Sequence, residues 1–231
     1  MKAMTDPMCK SLPPGRPCPG RLALRPWRLV LLAAFLVACL GGCGKPPMLV
    51  NQYLLEYPAP VTGGKVKIPA AVKVELFSVA QAFNTNAMVY QPRPFQSQSY
   101  NYSRWRANPG YMVTDYLTRD LRESRLFQAV FGPDSGDKYR FKLEGGLAEF
   151  QELDNSDGWQ ASLALTVTLL DTSQEELPQR VVFQKNYRVL EPMPEKTPQG
   201  LAQAMSRAME QVSARIINDT YEAARIRTAG K

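Results

Sequence analysis

The chain of 231 residues contains no histidine. That absence excludes Ser-His-Asp and Cys-His catalysis and removes the commonest zinc ligand. Its four cysteines, Cys9, Cys18, Cys39 and Cys43, all fall in the first 43 positions. The 188 residues beyond Cys43 therefore have no thiol for a disulfide, a metal or a nucleophile, and must be held together by their core. Strong charge is also missing from that part. Six of the 28 basic residues (Lys2, Lys10, Arg16, Arg21, Arg25 and Arg28) and only Asp6 of the 21 acidic ones lie in residues 1–43, so the rest carries +2 rather than the +7 of the whole chain. A general electrostatic attraction to nucleic acid loses its basis.

No apolar run is long enough to span a bilayer. The longest, Leu29 to Leu40, is shorter than the roughly 20 residues a spanning helix needs, and it stops at Gly41-Gly42-Cys43-Gly44. A basic leader, a short apolar run and small residues ahead of a cysteine make a signal peptide. Leu40-Gly41-Gly42-Cys43 resembles a bacterial lipobox, in which diacylglycerol alkylates the thiol, the chain is cut before it, and the new amino terminus is acylated, typically with palmitate. Leu36-Val37-Ala38-Cys39 fits the same pattern, and an ordinary signal peptide is the plainer alternative. The expected organisation is a signal peptide over 1–42, a lipidated tether over 43–51, one domain over 52–226 and a tail over 227–231.

Hydrophobic periodicity sets out that domain. A first strand is expected at about 52–57, and Ala71 to Val79 alternates, with Val72, Val74 and Leu76 on one side. Met88-Val89-Tyr90 reads as a short strand. Asn108 followed by Pro109 is a helix start, and Val113, Leu117 and Leu121 continue the apolar stripe to about 124. A short strand follows at Phe127 to Phe131. Tyr139, Phe141, Leu143 and Leu147 share one strand face, and Leu163, Leu165, Val167 and Leu169 another. The turn chemistry of residues 154–158 makes these two an antiparallel hairpin. Arg180 to Leu190 is a further strand. Thr197 and Pro198 start a second helix, carried by Leu201, Met205, Met209, Val212 and Ile216 to about Ala224. The expected fold is α+β, an antiparallel sheet with two helices packed on one face.

Little in this pattern is catalytic. Asp154, Asp157, Glu175 and Glu176 fall in turns, where acidic residues keep loops solvated. Gly145-Gly146 lies within a strand and is followed by no Gly-Lys-Ser/Thr, so it marks a bulge or a close backbone approach rather than a phosphate loop. Methionines at helical spacing in the last helix read as core. The distinctive stretch is 91–106, where Pro92, Pro94, Phe95, Tyr100, Tyr102 and Trp105 mix with Arg93, Arg104 and Arg106. It reads as a projecting loop or irregular hairpin. Such a mixture suits an interface; the alternative is that Tyr102 and Trp105 fold onto the core while the arginines face water.

A family resemblance rests on Tyr53-Leu54-Leu55 soon after the anchor, the strand Val72 to Val79, Met88-Val89-Tyr90, Tyr102 and Trp105, and the helix Met112 to Leu121 running into Ser124-Arg125-Leu126-Phe127 and Val130. Over most of residues 50–220 this order resembles the auxiliary lipoproteins of ABC-type transporters, including the paraquat-inducible, intermembrane-transport type. Residues 80–86 depart from one version of the pattern, which has a Leu-Pro-x-Tyr-Leu-type run there. The resemblance implies a domain similar to the N-terminal domain of the Tol-system β-propeller protein. It implies no catalysis and no cofactor beyond the lipid on Cys43. The implied role is an accessory that docks an MCE-type substrate-binding protein and ABC subunits at the envelope membrane, with lipid binding and homo-oligomerisation left open. Gly44, where an inner-membrane retention signal would have Asp, points to the outer membrane, facing the periplasm. In that role the docking surface is expected on Tyr90, Arg93, Tyr102, Trp105 and Arg106. The competing readings are a structural envelope lipoprotein and a lipid-anchored hydrolase using paired carboxylates.

Overall fold

The computed structural model describes residues 48–230 apart from Asp157, together with Trp27. The rest of the leader and both lipidation candidates, Cys39 and Cys43, lie outside the described residues. Contacts divide the chain into Met1–Met48 and Leu49–Lys231, and the fold below is that of the second unit.

Both helix starts form as their capping residues dictate. The Asn108 side chain accepts a hydrogen bond from Gly110 N at 3.0 Å and opens α1, Pro109–Ser124. Thr197 accepts from Gly200 N at 3.0 Å and opens α3, Pro198–Ala229, which runs five residues further than its apolar stripe suggested and takes in most of the expected tail. Between them a short α2 spans Leu177–Arg180. Met205 and Met209 are fully buried, as core methionines. Among the described residues no helix is long and apolar enough to cross a membrane.

The strands are β1 (Asn51–Tyr53), β2 (Ile68–Val74), β3 (Ser78–Val79), β4 (Ala87–Gln91), β5 (Gln98–Trp105), β6 (Phe127–Phe131), β7 (Phe141–Asn155), β8 (Gly158–Asp171) and β9 (Val181–Pro192). β7, β8 and β9 form the expected antiparallel meander. The other edge of β7 overturns the expected all-antiparallel sheet. Along it β2, β3 and β4 pair in succession and in parallel, β6 pairs parallel to β2, and β1 pairs parallel to β5. The sheet is mixed because alternation reports which side of a strand is buried and not which way the strand runs.

The expected strand over 71–79 is broken after Val74. Leu76 is exposed and Phe77 is buried in its place, its N–H donating to Thr114 Oγ1 of α1 at 3.0 Å. The Phe77 ring packs over Gly145, where a Cβ would lie 2.5 Å from ring Cε1 and 2.5 Å from the Thr166 carbonyl oxygen. Gly145 is thus a close approach, as its place within a strand suggested. A second irregularity is a bulge in β7 between Leu147 and Glu149. Before it Phe141, Leu143 and Leu147 are buried; after it the inward positions are Phe150 and Glu152.

A polar network ties the helices together inside this core. Asp120 of α1, fully buried, accepts from Tyr57 Oη at 2.9 Å and Ser213 Oγ of α3 at 2.5 Å, and pairs with Arg119 at 2.7 Å. The Arg119 guanidinium in turn lies 4.6 and 4.5 Å from the ring centroids of Tyr57 and Tyr116. Replacing Asp120 by Ala leaves the buried Tyr57 and Ser213 hydroxyls without their acceptor and the partly exposed Arg119 without its carboxylate. We expect Asp120→Ala to lower stability by about 3 kcal/mol, measured by urea denaturation, with Tyr57→Phe costing about 1 kcal/mol.

Candidate functional interface

The 91–106 stretch is an irregular hairpin. β4 and β5 pair at Tyr90↔Gln98 and Val89↔Ser99, but the next pairing is Ala87↔Arg104, so β5 carries three extra residues and bulges away. Its tip is the turn after Gln91, where Gln96 N donates to Arg93 O at 3.1 Å and Phe95 sits at φ 66°, a conformation that side chains other than glycine and asparagine seldom adopt. Phe95 is fully exposed.

The structure does not gather the five predicted interface residues on one surface. Trp105 is only 2% exposed and packs edge-on against Phe150, ring centroids 5.1 Å apart. It belongs to the core, and its place in the docking set is corrected: strand alternation sends Ser103 and Trp105 inward and Tyr102, Arg104 and Arg106 outward. Tyr90 is half-buried and engaged, donating to Gln98 Oε1 at 2.6 Å with its ring 5.0 Å from that of Tyr100. Arg106 is exposed and donates to Gln52 Oε1 of β1. Arg93 is exposed at the tip, separated from Arg106 by the length of β5, about 20 Å. Phe95 escaped selection because a loop phenylalanine between prolines and glutamines carries no periodic signal.

Behind the hairpin lies a cluster that the sequence did not announce. Glu152, 0% exposed, stands opposite Tyr90 in the parallel ladder and accepts from Tyr100 Oη at 2.8 Å. Asp154, two residues on along the same strand, is ion-paired with Lys196, whose ammonium lies 5.6 Å from the Tyr90 ring centroid. Asp154 is therefore not the solvated turn residue expected of it; Asp157 lies outside the described residues. Burial, the Asp154 carboxylate beside it and a shared hydrogen bond with that group raise the Glu152 carboxyl to about 7, with the Tyr100 hydrogen bond opposing. Burial and the bond to Glu152 push the Tyr100 hydroxyl up as well. Glu152 Oε1 and Asp154 Oδ1 are both buried without another hydrogen-bond partner, so a proton held on Glu152 has Asp154 to share it with. The two acids are neighbours on one strand, capped by Lys196 and the tyrosines; they do not face each other across a cleft as acid/base catalysis on a bound substrate requires. Among the described residues no cluster of three or more acidic or thiol side chains could hold a metal.

A curled mixed sheet backed by two long helices defines an α+β fold shared with solved structures. A protein from Xanthomonas campestris of the DUF330 family superposes with a TM-score of 0.71 at 19% identity, covering 78% of this chain and 99% of that one. An uncharacterized protein does so with a TM-score of 0.58 at 14% identity, over 74% and 98% of the two chains. No curated protein sequence matches. The chain belongs to the family of ABC-type transport auxiliary lipoprotein components, whose family model matches residues 53–217. The family is one of transport accessories rather than of enzymes.

The raised Glu152 carboxyl has a consequence for stability. The folded group keeps its proton up to about pH 7, whereas the unfolded one releases it near 4.5, so folding takes up a proton between these values. This contribution is complete below about pH 4.5 and is lost as the pH rises through 7. We expect Glu152→Gln to flatten the fall in melting temperature between pH 5 and 8, and to raise that temperature by a few degrees at pH 8, in thermal denaturation followed by circular dichroism.

Proposed function

We propose that this protein is a lipid-anchored docking subunit, held at the envelope membrane through Cys43 (or Cys39), that engages the periplasmic part of an ABC transporter of the MCE, lipid-moving type. Its work is positional. A tether holds its domain close to the partner and raises their effective concentration, and no covalent step is required. The outer membrane is the favoured location, since Gly44 rather than Asp follows the anchor. On this reading residues 1–42 are the signal peptide, 43–51 the tether and the remainder the docking domain.

The observation that carries the reading beyond the family is the row Tyr102, Arg104 and Arg106, all exposed on alternate positions of β5 and its continuation. Tyr and Arg are the side chains that most often anchor protein interfaces. The row stands on a rigid support, because Ser103 and Trp105 between them are buried and Arg106 N donates to Tyr53 O at 2.8 Å. Of the five residues first considered, Tyr102 and Arg106 carry the docking surface. Trp105 props it from within, Tyr90 closes the acid cluster beneath it, and Arg93 stands apart at the tip.

The expected outcome of crosslinking intact cells and identifying what is extracted with the lipoprotein is an MCE-type protein or ABC subunits, lost in the unanchored Cys39→Ala, Cys43→Ala double variant. Tyr102→Ala with Arg106→Glu should reduce recovery at least tenfold while leaving the melting temperature within about 2 °C of the parent. Full recovery with that folded variant would remove the docking assignment. Recovery of no transport component would remove the transporter reading itself.

A further inference from the structure

The direction of β1 fixes where the chain joins the domain. β1 is parallel to β5, with Asn51 level with Ser103, Gln52 with Arg104 and Tyr53 with Trp105. Moving toward the N-terminus along β1 is therefore moving toward the N-terminal end of β5, which is the hairpin tip. Leu49 and Val50, immediately before β1, are both exposed, Leu49 almost completely. The same end carries the β7–β8 turn, because Gln91 of β4 is level with Leu153 of β7, and with it the partly exposed Trp159. Val50 and Leu49 continue the line of β1, level with Tyr102 and Asn101, and head toward the tip, where the end of the sheet presents Phe95 and Trp159, with Arg93 beside Phe95.

Phe95 itself is unexplained by the fold. A large apolar side chain with no neighbour, on a left-handed backbone that a glycine would hold at less cost, contributes nothing to the domain that displays it. The composition suits the boundary between water and lipid, where aromatic rings and short apolar segments enter the headgroup region and arginine meets phosphate. The opposite end is of another character: the β8–β9 connection carries the acidic pair Glu175 and Glu176, both exposed. That end lies about 50 Å away, the length of the 15-residue β7.

We propose that the hairpin tip is a second membrane contact, with Phe95 inserted into the lipid surface that holds the anchor and Arg93 on its phosphates, so that the domain stands tip-down on the bilayer. The inference rests on the reading of Cys43 as the lipidated residue. From Cys43 to Leu49 there are six peptide steps, at most about 20 Å fully extended, and Leu49, level with Asn101, lies on the order of 10 Å from the tip along the sheet, so the tether is short enough for the tip to reach the lipid. With the tip down, the row Tyr102 to Arg106 stands about 10 to 20 Å above the tip, turned toward the aqueous space where a periplasmic partner is found.

The mature lipoprotein has no cysteine after Cys43, so a nitroxide can be placed at one chosen position. The lipidated protein is reconstituted in vesicles of phosphatidylethanolamine and phosphatidylglycerol, with the label at Gln96→Cys beside the native Phe95 or, as a control, at Glu176→Cys. Collision of the label with dissolved oxygen, which concentrates in lipid, is compared with its collision with a water-soluble nickel chelate. We expect the oxygen-to-nickel ratio at position 96 to exceed that at 176 at least threefold, and Phe95→Asp to bring it down to the control value. Equal, water-like ratios at 96 and 176 in protein that floats with the vesicles would overturn the tip contact and leave the anchor standing. Protein that fails to float would overturn the anchor reading and this inference with it.

Discussion

The structure depends on one mismatch of lengths. β7 is 15 residues long and is matched along its whole length by β8, from Phe141↔Asp171 to Asn155↔Gly158. Its other edge must be covered too, since a buried ladder edge left unpaired costs free energy at every donor and acceptor. No single strand covers it. The chain climbs that edge in three pieces, β2, β3 and β4, breaking and re-forming between them. The first break lets Phe77 turn inward over Gly145 and bond to α1. The last piece arrives at the far end of β7, from where the chain can only fold back, and the hairpin β4–β5 is that return.

The bulge in β7 decides what lies beneath the hairpin. Up to Leu147 the odd-numbered positions face the core. One extra residue before Glu149 exchanges the faces, so that Phe150 and Glu152 point inward instead. Phe150 thereby meets Trp105, and a carboxyl that strict alternation would have left in water is buried against Tyr100. Had β7 kept a regular period, Trp105 would lack its aromatic partner and the outward row on β5 would lose its support. The acid cluster and the exposed arginines are thus two results of one register change.

Elements with strong local signals were legible from residues alone. Asn108-Pro109 and Thr197-Pro198 mark the starts of both long helices to the residue, and the β7–β8 hairpin follows from turn chemistry between two apolar faces. What could not be read was strand direction, because the parallel contacts join positions about 60 to 70 residues apart, such as Val72 with Phe141 and Tyr90 with Glu152, and leave no trace in local periodicity. The burial of Trp105 was in principle available, since residues 102–106 alternate; composition drew attention to the aromatic and concealed its parity. Glu152 was hidden by the bulge, which two alternating segments in opposite phase would reveal only to a reader who looked for the change of phase.

The placement of the tip gives the short tether a mechanical meaning. A domain held by one flexible segment samples every orientation within reach, and a docking row on such a domain faces its partner only part of the time. A second contact at the tip removes most of that freedom at little cost, because the anchor already holds Phe95 near the lipid and the entropy of approach has been lost once. The same logic explains why the hairpin is built on the longest strand of the sheet. Only a lever fixed to a rigid core transmits an orientation from the membrane surface to residues about 10 to 20 Å above it, and the buried pair Trp105 and Phe150 makes the lever rigid where it leaves the sheet.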